Sequence, residues 1–272
     1  MTELFTVFGA DGFVGKRLVR RLTDQGHQVQ TVGREEEHAK KYTNLGHVMY
    51  CAGVTGSRFK TEQFRVIDAH VSLLAKVLEA SKFSTFLYMS SARVYEESLD
   101  GTSVDASFRV RPSNISDFYN LSKLMGESLI LQSGLAAARI VRVAYAVDFA
   151  QDSTDNITLF LRSAFRGHVR FTAHRQSVKD YIVMGDVLRM LPEVALRGKS
   201  KIYNLASGMN TSTSEIAKVL VDETGCGVEF TNEEELRSPD PIDVSLLQAE
   251  FSYQPQSVVE YARYVIRTEN CR

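Results

Sequence analysis

Short apolar runs alternate with longer amphipathic stretches along the first half of the chain. Runs with the length and pattern of β-strands occur at residues 4–8, 28–32, 47–53, 83–89 and 139–147. Stretches with apolar residues at helical spacing occur at residues 14–22, 62–81 and 118–129. Strands that alternate with helices in this way predict an α/β fold, a Rossmann-like doubly wound parallel sheet covered by helices.

Three glycines separate the first strand from the first helix. Gly9, Gly12 and Gly15 form the spacing G-x-x-G-x-x-G. A plain structural turn also uses glycine, but a strand before and a helix after favour a turn that brings backbone N–H groups and a helix N-terminus to a pyrophosphate. Gly9 and Gly12 would make the turn, and Gly15 would allow close helix packing. The expected dinucleotide contacts here are Gly9, Asp11, Gly12, Phe13, Val14 and Gly15.

The ends of the next two strands bear on the choice of cofactor. After the second strand, Gly33 stands where an NAD-binding protein usually places an acidic residue, and Arg34 follows it. An arginine here can pair with a 2′-phosphate, so we expect NADP in preference to NAD, although Arg34 on a solvated loop is the alternative. Ala52 and Gly53 end the third strand and would let the cofactor lie across it, or they serve only close packing.

A tyrosine and a lysine one helical turn apart are the best candidates for chemistry. Tyr119 and Lys123 share one face of the helix at 118–129. An ammonium near a phenol is expected to lower the phenol pKa from about 10 and make Tyr119 an acid/base. Ser91 follows the fourth strand, at the sheet edge where parallel sheets bind ligands. The long helix at 62–81 carries Asp68 and His70, which we expect on its polar face.

Composition narrows the partners and the compartment. The chain has 272 residues, is 44% hydrophobic and 24% charged, and has a net charge of −1, so it is typical of globular proteins and shows no nucleic-acid signature. Its three cysteines, Cys51, Cys226 and Cys271, are far apart, which indicates neither a metal site nor a disulfide framework. Without an apolar span or a signal-like N-terminus, a cytoplasmic protein without membrane contact is expected.

The three features together resemble the short-chain dehydrogenase/reductase superfamily. The glycine motif from Gly9, Ser91 after a strand, and Tyr119-x-x-x-Lys123 are the residues that carry this resemblance. More narrowly, the chain resembles the extended branch known as the NAD-dependent epimerase/dehydratase family. The later segments 178–187 and 202–208 also resemble that family, so the resemblance spans nearly the whole chain.

The resemblance implies an organisation, a substrate and a partner. Residues 1–149 would form the dinucleotide-binding domain, and 150–272 mainly a small substrate-binding lobe that is partly interleaved with the sheet. The substrate would be a nucleotide-diphosphate sugar, with Arg237 and Lys179 at its diphosphate unless they are solvated charges. Tyr119 would move the proton, Lys123 would hold the ribose, and Ser91 would bind the carbonyl oxygen. A homodimer through the helices at 62–81 and 118–129 is also implied.

One departure from the family excludes a reaction class. Ala92 and Arg93 stand where sugar 4,6-dehydratases carry an acid pair, and these residues cannot eliminate water, so a dehydratase is set aside. The sequence favours an NADPH-dependent reductase of a 4-keto nucleotide sugar. A nucleotide-sugar 4-epimerase with bound NAD is the alternative. A non-catalytic dinucleotide-binding sensor or assembly protein is the second alternative.

Overall fold

The computed structural model of the chain describes residues 2–33, 44–54, 56–80, 82–150, 152–153, 155–232 and 234–270. The chain divides into two compact units. The first unit comprises residues 1–100, 104–143 and 188–203, and the second comprises 101–103, 144–187 and 204–272. The assignment of residues 1–149 to dinucleotide binding and of 150–272 mainly to substrate binding stays a prediction.

The helices and strands follow the predicted alternation. The strands are β1 Leu4–Phe8, β2 Gln28–Val32, β3 His47–Tyr50, β4 Thr85–Ser91, β5 Ala138–Val143, β6 Tyr145–Val147, β7 His168–Phe171, β8 Val178–Val183, β9 Ile202–Leu205, β10 Asn210–Ser212 and β11 Gly227–Phe230. The α-helices are α1 Gly15–Asp24, α2 Gln63–Ile67, α3 Leu73–Ala80, α4 Ile115–Gln132, α5 Asn156–Ala164, α6 Met184–Arg197, α7 Thr213–Thr224, α8 Ser245–Phe251 and α9 Val258–Asn270. Shorter 3-10 helices occupy Gly56–Lys60 and Ala92–Glu97.

In the described part of the chain, six strands form the main sheet in the order β2-β1-β3-β4-β5-β9. The pairs from β2 to β5 are parallel, for example Leu4 beside Gln28 and Phe86 beside Ala138. Strand β1 is almost entirely buried, as expected for a parallel strand covered on both faces. The parallel sheet confirms the predicted Rossmann-like α/β class.

The predicted strand at 139–147 is two strands, and the single-strand expectation is wrong. Strand β5 pairs with β4 in the main sheet, whereas β6 pairs with β8 in a three-stranded sheet. Ala144 stands between them and donates its N–H to the carbonyl of Leu205. The residues from Val143 to Val147 are all apolar or aromatic, so the sequence carries no mark of the change of sheet.

Aromatic packing holds the centre of the first unit. Phe8, Tyr50 and Phe86 stack across neighbouring strands, with ring centroids 5.4 and 5.8 Å apart. The Tyr50 hydroxyl donates to the carbonyl of Ala69 at 2.7 Å, so this buried ring keeps a hydrogen-bond partner. Stacked rings of this kind fix the position of the strand ends, and these ends carry the candidate site.

The predicted helix at 62–81 is interrupted by a π-helical turn. Helices α2 and α3 are joined by a π-helical turn at Asp68–Ser72. Helix α4 is one continuous segment, and the side chain of Asn114 caps its start by accepting from Ser116 N–H at 2.8 Å. The π-helical turn packs against α4 in the same unit, so it bears directly on the residues that α4 presents.

The described residues of the second unit form their own core and two small sheets. A three-stranded sheet has the order β10-β8-β6, and β7 pairs in parallel with β11. Buried Asp180 on β8 accepts from the backbone and hydroxyl of Ser207 and from the N–H of Gly208. Helix α7 begins in a capping box between Ser212 and Glu215.

No helix in the part of the chain that the structure describes is long and apolar enough to cross a membrane.

Candidate active site

The glycine turn after β1 leaves no space for side chains at two positions. Gly9 has a φ of +74°, and a Cβ atom there would lie 2.7 Å from the backbone of Ala52. A Cβ atom on Gly15 would lie 2.1 Å from the carbonyl oxygen of Gly9. The turn therefore depends on glycine both for its backbone conformation and for the close approach of α1 to the strand end.

The glycine turn leads directly into the start of α1. Gly12 N–H donates to the Gly9 carbonyl at 2.9 Å, and the helix then starts after Val14. Among the described residues, no side chain caps this N-terminus. The positive end of the helix dipole at this start suits an anion.

The other predicted cofactor contacts lie around the same turn. The carboxylate of Asp11 lies against Gly33 at the end of β2, 2.9 Å from where a Cβ atom would stand. Phe13 carries the guanidinium of Arg17 over its ring at 4.6 Å. Ala52 contacts Gly9, as described above, and Gly53 follows it. Arg34 lies outside the described residues.

Ser91 and Tyr119 meet at the carboxyl end of β4. Ser91 is the last residue of that strand, and its hydroxyl lies close enough to the Tyr119 phenol to act against the rise in the pKa of that phenol. The phenol ring is only 5% exposed and packs against the Phe59 ring at 5.3 Å between centroids. The N–H of Arg93 donates to the Ser91 hydroxyl at 3.2 Å, which fixes the serine side chain.

Lys123 lies one turn further along α4 and points to the strand ends. Its ammonium donates to the carbonyl of Met89 at 2.9 Å. A Cβ atom on Gly53 would lie 3.7 Å from this nitrogen, so the lysine reaches the segment that also touches the glycine turn. Burial lowers the pKa of Lys123 to about 8, with Cys51 and Glu127 acting in the opposite direction.

The expected lowering of the Tyr119 pKa by Lys123 is wrong. Burial raises the pKa of the Tyr119 phenol, and the hydrogen bond from Ser91 and the charge of Arg93 only partly offset this effect. The spacing of four residues places Lys123 on the same face of α4 as Tyr119, but its ammonium binds the backbone carbonyl of Met89 on β4. The phenol itself is enclosed by rings, and removal from water disfavours the phenolate.

His70 was expected on a polar surface, and this expectation is also wrong. The imidazole is fully buried, and its Nδ1 lies 2.8 Å from the Ser122 hydroxyl. Its ring stands edge-on to that of Tyr119 at 5.5 Å. His70 lies four residues from both Val66 and Leu74, which are buried on the same face, so the spacing contains the signal that was missed.

A buried ion pair behind the site was also missed. The guanidinium of Arg142 on β5 binds the carboxylate of Glu127 through its Nε and Nη2 atoms, the latter at 2.8 Å. The Ser90 hydroxyl donates to the same carboxylate at 2.6 Å, and Arg142 also donates to the Tyr95 hydroxyl at 2.7 Å. Glu127 continues the four-residue spacing of Tyr119 and Lys123, and this is the signal in the sequence.

The two residues predicted at the diphosphate belong to the second unit. Lys179 is on β8, with its ammonium 4.7 Å from the centroid of the Tyr145 ring. The guanidinium of Arg237 is exposed and binds the carboxylate of Glu235, with Nε to Oε1 at 2.8 Å. The backbone of Arg237 is anchored, since its N–H donates to the Ser177 hydroxyl at 2.9 Å. The glycine turn and the Ser91, Tyr119 and Lys123 group belong to the first unit.

A comparison of the sequence with known protein families identifies the family of this chain. Residues 5–206, well over half of the chain, match the NAD dependent epimerase/dehydratase family. The chain belongs to this family. The predicted family is therefore confirmed, and the epimerase/dehydratase match includes Ser91, Tyr119, Lys123 and Lys179, whereas Arg237 lies beyond it. No curated protein sequence matches the chain at a significant level.

Several solved structures share the fold of this chain. The chain is similar to the epimerase Mth375 from Methanothermobacter thermautotrophicus, at 18% identity and a TM-score of 0.79, covering 99% of this chain and 93% of that one. It is similar to RMD from Pseudomonas aeruginosa, solved with NADPH, at 20% identity and a TM-score of 0.77, covering 97% of this chain and 99% of that one. It is also similar to a UDP-glucuronic acid 4-epimerase from Bacillus cereus, solved with UDP-glucuronic acid and NAD. The identity is 17% and the TM-score 0.74, and the match covers 97% of this chain and 99% of that one.

Proposed function

We propose that this protein is a nicotinamide-dependent oxidoreductase that acts on a nucleotide-diphosphate sugar. The observation that carries the proposal is the closeness of Ser91, at the end of β4, to Tyr119 on α4, with Lys123 one turn further along the helix. Family membership supports an enzyme of the epimerase/dehydratase type. The solved structures named above include one with NADPH and one with UDP-glucuronic acid and NAD.

The first unit offers a suitable cradle for the dinucleotide. The turn needs glycine at positions 9 and 15, where a Cβ atom would collide with protein backbone, and the uncapped start of α1 suits a pyrophosphate. The residues proposed to hold the cofactor are Gly9, Asp11, Gly12, Phe13, Val14, Gly15, Arg34, Ala52, Gly53, Tyr119 and Lys123. When bound, a nicotinamide dinucleotide supplies or accepts the hydride at the sugar carbon.

The protonation state of Tyr119 favours the reductive direction. Because burial raises the pKa of its phenol, Tyr119 is protonated at neutral pH and is ready to donate a proton to a developing alkoxide. Ser91 would hydrogen-bond the carbonyl oxygen and hold it at the phenol. Lys123, positively charged up to about pH 8, would bind ribose hydroxyls and stabilise negative charge on the phenol oxygen.

The finer proposal is the NADPH-dependent reduction of a 4-keto nucleotide sugar. A protonated tyrosine suits the reductive direction, and Arg34 after β2 is the residue proposed to select the 2′-phosphate. Arg237 and Lys179 are proposed to bind the substrate diphosphate, because a guanidinium and an ammonium both suit phosphate oxygens. This role requires Arg237 to exchange its ion pair with Glu235 for the substrate.

Cofactor titration followed by assay tests this proposal. The chain contains no tryptophan, so nicotinamide fluorescence is free of indole signal in a titration with NADPH and NADH. We expect tighter binding of NADPH, and NADPH oxidation when a 4-keto-6-deoxy nucleotide sugar is added. Tight NAD binding without net oxidation would indicate a 4-epimerase instead. Dinucleotide binding without turnover of any nucleotide sugar would indicate a sensor or assembly protein.

A tyrosine pair provides the matched control. Tyr119→Phe should reduce turnover by at least about a hundredfold, the low end of general acid catalysis, while NADPH binding persists. Tyr264→Phe removes a hydroxyl from a side chain that is 63% exposed, and it should leave turnover unchanged. Full activity of Tyr119→Phe would contradict the catalytic assignment.

We also propose a homodimer that uses the helices around the site. Helices α2 and α4 pack together in the first unit, and both present exposed apolar side chains, including Phe64, Ile67, Ile115 and Met125. Phe64 is 92% exposed, which is unusual for an aromatic side chain with no partner surface. Light scattering should give twice the mass of 30.5 kDa for the wild type, and a smaller mass for Phe64→Asp.

A further inference from the structure

A positive charge lies directly beside the Ser91–Tyr119 pair. The guanidinium carbon of Arg93 is 5.7 Å from the centroid of the Tyr119 ring and 5.0 Å from that of Phe59. The arginine stands two residues after Ser91, and its N–H binds the serine hydroxyl. Two aromatic rings and this backbone contact therefore hold the guanidinium close to the atom that Tyr119 protonates.

Protein groups leave part of this guanidinium unused. Its Nη2 atom lies 3.4 Å from the Glu96 carboxylate, a long contact to a side chain that is 47% exposed. Its Nε atom is buried, and no acceptor for it exists among the residues that the structure describes. An unsatisfied buried donor is costly to stability, so this guanidinium has hydrogen-bonding capacity that the described protein groups do not use. The side chain as a whole is 30% exposed, so a ligand can approach part of it even though the Nε atom is buried.

The chemistry of the guanidinium indicates which ligand group fits. Its N–H groups form a planar fork that matches a carboxylate through two parallel hydrogen bonds. Ser91 and Tyr119 hold the reacting oxygen of the sugar in the proposed function. Neighbouring substituents of a hexose ring lie within a few ångströms of each other. A group that reaches Arg93 is thus a substituent of the same sugar, near the reacting carbon.

We propose that Arg93 selects a nucleotide sugar whose hexose carries a carboxylate, that is, a uronic acid. This inference rests on the proposed function and names the substrate class of that same site, whichever direction of hydride transfer Tyr119 serves. Glu96 holds the guanidinium in place and gives way to the substrate carboxylate. A neutral hexose would offer the guanidinium of Arg93 no anionic partner.

Arg93 also acts on Tyr119, and this effect is separable from recognition. Its positive charge lowers the pKa of the phenol against the larger effect of burial. A purely electrostatic role would change the turnover of neutral and acidic sugars equally. Recognition of a carboxylate affects acidic sugars alone, so a pair of substrates that differ only in that group distinguishes the two roles.

The test compares matched sugars on the wild type and four variants. Dissociation constants are measured by calorimetry, with saturating NAD or NADP, for glucose and glucuronic acid as their uridine, thymidine and guanosine diphosphates. Because each pair shares one diphosphate, the ratio of the two constants isolates the carboxylate. The variants are Arg93→Gln, Arg93→Lys, Glu96→Gln and, as a control, Arg58→Gln, which removes a nearby guanidinium paired with Glu62 at 2.7 Å.

We expect the wild type to bind the acidic sugar about tenfold to a hundredfold more tightly than the neutral one, as for one charge-assisted pair. Arg93→Gln should abolish this preference without weakening the neutral sugar, and Arg93→Lys should retain part of it. Glu96→Gln, which removes the competing carboxylate, should increase the preference. Arg58→Gln should leave it unchanged.

Three results would overturn the inference. Equal binding of neutral and acidic sugars by the wild type would exclude a carboxylate at Arg93 while leaving the proposed function intact. If Arg93→Gln weakens the binding of both sugars equally, Arg93 acts through Tyr119 or through the stability of the fold and does not recognise a carboxylate. Failure of every nucleotide sugar to bind would overturn the proposed function itself. Should Arg93→Gln not fold, the opposite shifts in Arg93→Lys and Glu96→Gln decide the question.

Discussion

The Nδ1 atom of His70 lies 2.8 Å from the hydroxyl oxygen of Ser122, and this hydroxyl donates its single proton to the carbonyl of Tyr119 at 2.7 Å. Ser122 therefore accepts from His70, which places the imidazole proton on Nδ1. The Nε2 atom is left as an acceptor for the N–H of Val54, at 3.4 Å. Burial and the charge of Lys123 lower the pKa of His70 well below its usual value, so the imidazole is neutral.

The first prediction concerns stability in mild acid. Below about pH 6.5 the unfolded chain protonates His70 and the folded chain does not, so the unfolded state binds more protons and stability falls as the pH falls. Relative to His70→Gln, we expect the wild type to lose up to about 2 kcal/mol of unfolding free energy between about pH 6.5 and 5. Urea unfolding of both proteins at these two pH values measures the difference between their unfolding free energies. The other histidines are present in both proteins, so their contribution cancels in this difference. A constant difference would show that His70 is charged in the fold.

Lys123 gives a prediction with the same sign of pH dependence at alkaline pH. Burial lowers the pKa of this lysine from 10.5 to about 8, so between these values the unfolded chain holds a proton that the folded chain has lost. Stability then rises with pH across this window, because the cost of burying the charged form disappears. The unfolding free energy of the wild type, relative to Lys123→Met, should increase from about pH 8 to about pH 10.5. A decrease would show that a partner holds the ammonium charged.

The glycine turn predicts a contrast between two alanine substitutions. In Gly15→Ala the new Cβ would meet the Gly9 carbonyl oxygen at 2.1 Å, so the turn must shift. We expect a loss of about 1–3 kcal/mol in stability, together with at least tenfold weaker dinucleotide binding. Gly185→Ala in α6 meets nothing within 4 Å and should be neutral or stabilise by up to about 1 kcal/mol. Unchanged dinucleotide binding by Gly15→Ala would contradict the proposed cradle.

The Glu127–Arg142 pair predicts a large cost for removing one partner. Both side chains are at most 4% exposed, so Glu127→Ala leaves a buried guanidinium without its main counter-charge. We expect a loss of about 3–5 kcal/mol in Glu127→Ala. The double variant Glu127→Leu and Arg142→Met removes both charges and should lose less, which chemical denaturation can measure. A double variant as unstable as the single one would show that shape rather than charge maintains this core.

Much of the scaffold was predictable because its signals are local. The strand, glycine turn and helix from Leu4 to Asp24 depend on contiguous residues, namely an apolar run, glycines at strained or crowded positions, and helical periodicity. The placement of Ser91 at a strand end and of Tyr119 and Lys123 on one helix face follows from the same local rules. The sequence by itself determined the parallel α/β class, the family and the list of candidate groups.

Only the tertiary structure decided how those groups behave. The pKa of Tyr119 depends on rings and charges from other elements, and the direction expected from Lys123 alone was wrong. His70 meets Ser122 from 52 residues away, and Arg142 meets Glu127 from 15. The nearness of the Arg93 guanidinium to Phe59 likewise joins separate segments. Burial and electrostatics are properties of the assembled surroundings, so periodicity and spacing along the chain place a side chain on a face but do not set its charge, its proton or its partner.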